Sequence, residues 1–336
     1  MTEKLRICLL GPKGAGKSSL VASLVDSVMQ SAYGYPPQLR PALQAITRLE
    51  FEEGTPAASK FELLENLVSD YERLRGEFAA GGAPTPAGEA LNYYFRLTIN
   101  GGADPRARTR HLIEITDASG DFAAPSLAAQ PPSFAAKEKF AAKLLDADVI
   151  VLVLPLARVE DSAFAPDLAR LLERLAQAKE RKAKRFIVAF SRYEKLFVQF
   201  GPAAFTYACD PAVALHVVRK AVQSAPWLDV LRRLEGSEPD TKTRLTVVSA
   251  FGFVKDFQNP NCDPHQAGER RFRRSGLAGA QAYAEFWRPF LTAEPILYAA
   301  LDQSSAFTFS FAQLDAREQR AVDTIGSFVG SHSAKR

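Results

Sequence analysis

Apolar positions along the chain switch repeatedly between a short continuous run and a helical period, which predicts strands interleaved with helices. LRICLL (5–10) is a short apolar run that stops at Gly11, and from Lys17 onward Leu20, Val21, Leu24, Val25 and Val28 recur at helical spacing. Three prolines and two tyrosines between Ser31 and Pro41 end that helix near Gln30. A short helical pattern over Ala42 to Phe51 follows. Past Gly54-Thr55-Pro56 a longer one runs from Ser59 to Phe78, with Leu63, Leu64, Leu67, Tyr71, Leu74 and Phe78 on one stripe. After the loop GGAPTPAG (81–88), LNYYFRLTI (91–99) and RTRHLIEITD (108–117) read as strands separated by turn formers, and so as a hairpin. LDADVIVLVLP (145–155) is almost continuously apolar, as a central parallel strand is.

Further along, a helix is expected from Phe164 to Lys182, its end carrying the basic run KERKAKR, favourable to the helix dipole. RFIVAF (185–190) is the next strand. Asp210 caps a helix through Val222, with Pro211 at its first position. TRLTVVSAFG (243–252) is the last strand, followed by irregular sequence to Gly279, a helix around Ala280 to Trp287 and a tail helix from Phe311 to Phe328. Strands alternating with helices predict an α/β fold of three layers, its mostly parallel sheet covered on both faces and the hairpin adding one antiparallel edge strand.

With 336 residues the chain has room for about two ordinary domains or one enlarged domain. The hydrophobic share of 47%, the charged share of 24% and a mean hydropathy of -0.12 exclude a disordered chain and a membrane bundle. A net charge of +4, from 42 basic and 38 acidic residues, is too small to imply nucleic acid as a partner. Cys8, Cys209 and Cys262 are too scattered for a disulfide framework, which suits a reducing, cytoplasmic setting. Cys262 and His265 lack further ligands at zinc-site spacing. Neither a secretory leader nor an apolar run near the roughly 20 residues of a bilayer span is present, so no transmembrane segment is expected, with peripheral membrane recruitment left open.

Residues 11–18, GPKGAGKS, have the spacing of a phosphate-binding loop between a strand and a helix. The backbone amides of Gly11, Lys13, Gly14, Ala15 and Gly16 and of the first helical residues, through Ser19, are expected to surround a β-phosphate. Lys17 reaches the β- and γ-oxygens, and the Ser18 hydroxyl ligates magnesium. Asp117 ends the apolar run HLIEIT in the sequence DASG. A carboxylate there holds a magnesium-bound water, and the Gly120 N–H meets a γ-phosphate, so the loop can order with phosphate state.

This combination of phosphate loop, hairpin, DASG after the second hairpin strand and further strand-helix units resembles the translation-factor-related, Ras-like class of P-loop GTPases. The resemblance implies GTP and GDP as ligands, Mg2+, and a protein effector or regulator. It implies that Thr85, in GAPTPAG, ligates magnesium from the first switch. It also implies that Ser191-Arg192-Tyr193-Glu194 stands at the guanine-reading motif, Glu194 accepting the guanine N1–H and N2–H while the Arg192 stem stacks beside the base. Ser249-Ala250-Phe251-Gly252 resembles the loop whose Ala250 N–H contacts guanine O6. The segment FWRPFLTAEPILYAAL (286–301) resembles one near the end of some bacterial GTPase-like domains of the double-GTPase type; composition alone makes it a buried closing helix.

On this reading residues 1–302 form one GTPase domain, with a helical insertion at about 38–84 and a closing helix at about 280–301, and 303–336 form a helical tail. Two departures bear on catalysis. Asp121 stands where Ras-like enzymes commonly have a glutamine that orients water; its charge is either repelled by the γ-phosphate or acts catalytically through a water, and intrinsic hydrolysis is expected to be slow without an activator. Lys13 is bulky where the loop often has glycine, either crowding an incoming arginine finger or adding positive charge. Alternatives remain a P-loop ATPase or small-molecule kinase, and a nucleotide-binding scaffold that scarcely turns over. The basic cluster Arg270, Arg271, Arg273 and Arg274 reads as a solvated loop.

Overall fold

The computed structural model describes residues 3–29, 46–51, 71–78, 91–100, 108–123, 133–156, 164–223, 225–254, 258–261, 287–302 and 304–316. Most of the segment 38–84, the 270–274 cluster, Cys262, His265, residues 280–286 and the tail beyond 316 lie outside them.

The α/β expectation holds. A seven-stranded sheet runs in the order β2-β3-β4-β1-β5-β6-β7, formed by β1 (Glu3–Leu10), β2 (Ile46–Phe51), β3 (Leu91–Asn100), β4 (Arg108–Asp117), β5 (Val149–Pro155), β6 (Arg185–Ser191) and β7 (Lys242–Val247). Helices flank it: α1 (Lys17–Met29), α2 (71–78), α3 (Phe134–Asp146), α4 (Phe164–Gln177), α5 (Pro211–Val222) and α6 (Pro226–Ser237). Every residue of β5 is buried, which explains its unbroken apolar sequence in the middle of a sheet covered on two faces. Amphipathic α4 turns Phe164, Leu168, Leu172 and Leu175 inward against α6, whose Trp227 and Leu231 are buried.

The hairpin is present, β3 and β4 pairing antiparallel from Leu91 opposite Asp117 to Asn100 opposite Arg108. β3 is the one strand opposed to the rest of the sheet, but it is not the edge. Ile46–Phe51, expected as part of a helix over 42–51, is strand β2 and pairs antiparallel with β3. The free backbone of β3 outweighs local periodicity: an uncovered edge leaves a row of amides and carbonyls unpaired, and six residues of ITRLEF satisfy them.

The described end of the long apolar stripe is helical as expected. In α2, Tyr71, Leu74 and Phe78 are buried. Tyr71 meets Tyr93 and Phe95 of β3 edge-on, with ring centroids 6.1 and 5.7 Å apart, and Phe78 lies 4.7 Å from Phe251 beyond β7. This helix therefore ties the hairpin to the loop after the last core strand. Phe78→Ala is expected to cost about 3–5 kcal/mol, the usual penalty for emptying a buried phenylalanine site, measurable by urea unfolding.

Three other boundaries shift. The helix expected to reach Lys182 stops at Gln177, and the basic run lies beyond it, where buried Arg181 makes two bonds to Glu238 (2.6 and 2.7 Å). Trp287–Phe290, expected in a helix, is strand β9, paired antiparallel with β8 (Ser249–Val254) in a second small sheet. Pro289 suits this, since it lacks the N–H that a helix interior requires. The described closing helix, α7, is Glu294–Leu301 with Pro295 in its first turn. The tail helix starts at Phe311 as expected, with Ser310 and Gln313 forming a capping box, but α8 ends at Asp315. The guanidinium of Arg219 donates to the carbonyls of Gln313, Leu314 and Ala316, which a continuing helix would need for its own amides. Before α8, Phe309 bridges to Leu245 of β7, and buried Glu294 accepts from the Ser305 and Thr308 hydroxyls. No helix among the described residues is long and apolar enough to cross a membrane.

Candidate functional site

Because β4, β1, β5, β6 and β7 are mutually parallel, their C-terminal ends share one edge of the sheet. The strand order reverses around β1, and crevices at such points are where open α/β sheets bind ligands. That edge collects Gly11 after β1, Asp117 at the end of β4, Ser191 at the end of β6 and Ser249 just past β7.

On the phosphate side, Lys17 begins α1 and is buried, its ammonium donating to the carbonyls of Gly11 (2.8 Å) and Pro12 (3.3 Å). Burial lowers its pKa, an effect opposed by Asp117 and Asp121. The Ser18 hydroxyl donates to Asp117 Oδ2 at 2.6 Å, so the two expected magnesium-side groups, 99 positions apart in sequence, meet. Burial raises the Asp117 pKa against the pull of Lys17 and the Ser18 hydrogen bond. Each charge is thus desolvated and only partly compensated, which favours arrival of an anion at Lys17 and a cation at Asp117. A carboxylate and a hydroxyl form the hard-oxygen donor set magnesium takes from protein when phosphate and water supply the rest. Ala15 and Ser19 are buried behind the loop, and Lys13 is exposed.

The DASG segment closes on that loop. A β-carbon on Gly120 would lie 2.2 Å from Lys13 N and 2.5 Å from its Cα, so only glycine permits this approach of two backbones. Asp121 opens a short helical turn, its Oδ2 accepting from the Ser119 hydroxyl at 3.3 Å. Thr85 lies outside the described residues.

On the other side of the loop, Ser191 Oγ donates to the Ala15 carbonyl at 2.5 Å, and the guanidinium of Arg192, itself at φ 67°, donates to the Gly14 carbonyl. The charged end of Arg192 thus grips the phosphate loop, an anchor compatible with the expected place of its stem beside the base. Glu194 is 1% exposed and accepts from Ser249 Oγ at 2.5 Å, while Ser249 Oγ accepts from Gly252 N at 2.7 Å. Ser249 and Ala250, expected at the end of one strand over 243–252 and in the position of the base-contacting loop, start a separate strand, β8. Gly252 has φ 55°, and a β-carbon there would sit 1.5 Å from the Arg288 carbonyl oxygen, so its lack of a side chain lets β9 close on β8.

Ala15, Gly16, Arg192, Glu194 and Ala250 line one narrow cleft. Thr292, which sequence reasoning missed, lines it too; no motif marks it, and only the pairing of β9 with β8 brings it there. A wider cavity of about 1060 Å³ between α5, α6 and α8 is remote from these groups. Arg232 at its wall is paired at 2.7 Å with both oxygens of Asp315, and Arg219 is held by carbonyls.

No protein-family model matches the chain, and no curated protein matches it. Among solved structures it is similar to the signal recognition particle receptor SRb-GTP/SRX complex from Chaetomium thermophilum, at 14% identity over 75% of this chain and 93% of that one, with a TM-score of 0.37. It is also similar to the S. cerevisiae Ski7 GTPase-like domain bound to GTP, at 13% identity over 85% of this chain and half of that one, with a TM-score of 0.36. Both likenesses are distant, and a functional reading rests on the residues at the strand ends.

Proposed function

We propose that this protein binds guanine nucleotides with magnesium, hydrolyses GTP slowly and signals its phosphate state to a protein partner. The observation that carries the reading is the buried Glu194 carboxylate, fixed by Ser249 in a cleft shared with Ala15 and Gly16 of the phosphate loop. A carboxylate only accepts hydrogen bonds, and guanine presents two adjacent donors, N1–H and N2–H, where adenine presents an acceptor at N1. That complementarity supports guanine over adenine.

Lys17 would hold the β- and γ-oxygens, and Ser18, with Asp117 through a water, would hold magnesium, which would neutralise phosphate charge. Gly120 lies against the backbone of Lys13. A γ-phosphate entering beside these amides displaces the DASG loop, so loop position becomes dependent on the third phosphate. Hydrolysis adds water to the γ-phosphorus and breaks its bond to the β–γ bridging oxygen, giving GDP, inorganic phosphate and a proton. The carboxylate of Asp121 faces that anion with like charge, which makes the step slow and also supports a second reading, a scaffold that holds GTP without turning it over.

Titration of the full chain with GDP and ADP, each with magnesium, is expected to show a preference for GDP, and incubation with GTP to release phosphate slowly. Preference for ADP sinks the guanine reading. Tight GTP binding with no phosphate released, even with cell extract as a source of activator, selects the scaffold.

A further inference from the structure

We propose that Lys13 is a specificity-determining residue whose side-chain ammonium binds the third phosphate and so distinguishes a triphosphate from a diphosphate. The inference rests on the nucleotide reading above and deepens it at a side chain that the phosphate-loop spacing leaves unspecified. The backbone of Lys13 is pinned on both sides. The Pro12 carbonyl accepts from Ala15 N at 3.1 Å and from the Lys17 ammonium at 3.3 Å, and the Gly14 carbonyl accepts from the Arg192 guanidinium. Facing it, Gly120 comes so close that a β-carbon there would lie 2.2 Å from Lys13 N and 2.5 Å from its Cα. The Lys13 side chain therefore starts from a fixed point at the contact of the phosphate loop with the DASG turn, where a third phosphate would enter.

Charge gives that position its use. Lys17 and Arg192 are each held by loop carbonyls, whereas the Lys13 side chain is exposed and no carbonyl or carboxylate among the described residues holds its ammonium. Asp121, next to Gly120, brings a carboxylate to the same place. Its charge is felt at Lys17, where burial lowers the pKa and Asp117 and Asp121 oppose that shift. A γ-phosphate arriving there meets an anion, and a nearby cation offsets the repulsion. Lys13 stands across the Gly120 contact from Asp121, so the two departures of this chain, a cation where the loop often has glycine and an anion where glutamine is common, are opposite charges at one point. An ammonium on a flexible four-carbon stem can turn toward phosphate oxygens and donate charge-assisted bonds to them. A diphosphate ends short of the DASG turn and gains little from it.

The test compares Lys13→Met and Lys13→Arg with the wild-type full chain, each titrated with GTPγS–magnesium and with GDP–magnesium. Lys13→Met is expected to lower the ratio of GTPγS to GDP affinity about five- to tenfold, the effect of one charge-assisted bond at an exposed site. Lys13→Arg keeps the charge and should hold the ratio within about twofold of the wild type. Adding Asp121→Asn to Lys13→Met removes the uncompensated anion and should recover part of the loss. An unchanged ratio in Lys13→Met overturns the proposal while leaving the guanine reading in place, and so does an equal loss for both nucleotides, which marks a general effect on the loop. A ratio lost equally in Lys13→Arg marks packing rather than charge and overturns it as well, and no recovery in the double variant overturns the offset between Lys13 and Asp121. Should the wild type prefer ADP, the guanine reading fails and ATPγS against ADP judges Lys13 in the same way. A wild type that binds no nucleotide defeats both.

Discussion

Lys17→Ala is expected to lower the affinity for GDP–magnesium by about a hundredfold or more, because two charge-assisted bonds to phosphate are lost together. That ammonium is buried and bonded to the carbonyls of Gly11 and Pro12. Burial lowers its pKa, so holding the charge there opposes folding. Anionic phosphate oxygens reverse the balance by stabilising the charge in a site already stripped of water. The fold itself relies on the sheet and its covering helices, so the variant should keep the wild-type circular dichroism spectrum. The loss should appear as disappearance of the thermal shift that GDP confers on the wild type, since a ligand raises stability only as far as it binds the native state. A variant that still responds to GDP would show that the nucleotide sits elsewhere.

Local pattern made legible whatever is decided by neighbours in sequence. β5 is recognisable because all seven residues from Val149 to Pro155 face cover on both sides, and the phosphate loop because strand, glycines, lysine and helix are contiguous. The register of β3 with β4 follows from a short connection. What the sequence hid is decided by distant partners. Ile46–Phe51 joins the sheet only because β3 offers an unpaired edge, and Trp287–Phe290 becomes a strand only because Gly252 lets it approach β8. At the site, Asp117 and Ser18 were identifiable from motifs, and their meeting needed the parallel pairing that sets Asp117 beside Leu9. Arg192 was legible as a position, and the bond of its guanidinium to the Gly14 carbonyl was not, because the reach of a long side chain is set by the fold. Thr292 has no sequence signature at all, being a threonine after an apolar strand that the pairing of β9 with β8 brings to the cleft.

Glu194→Gln should change which base is bound, and the direction follows from the neighbouring hydroxyl. Ser249 Oγ accepts from Gly252 N at 2.7 Å, and its own hydrogen goes to Glu194 Oε2 at 2.5 Å. A glutamine in the same place must turn its carbonyl oxygen toward Ser249 to receive that hydrogen, which points its NH2 into the cleft. There it confronts the N1–H and N2–H of guanine donor against donor, so GDP affinity is expected to fall about a hundredfold. Xanthine carries a carbonyl at C2 in place of the amine and can accept from the new NH2, so XDP should gain relative to GDP in competition titrations. The substitution is isosteric and keeps the Ser249 bond, so tripolyphosphate binding should stay at the wild-type level. Adding Ser249→Ala removes the donor that fixes the amide, leaving it free to rotate its oxygen toward guanine. The double variant should then recover part of the GDP affinity lost by Glu194→Gln, at the cost of an unpaired Gly252 amide and a lower melting temperature. Equal GDP affinity in Glu194→Gln and wild type would remove Glu194 from the base site. A loss in the single variant with no recovery in the double would mean that Ser249 does not set the orientation of residue 194.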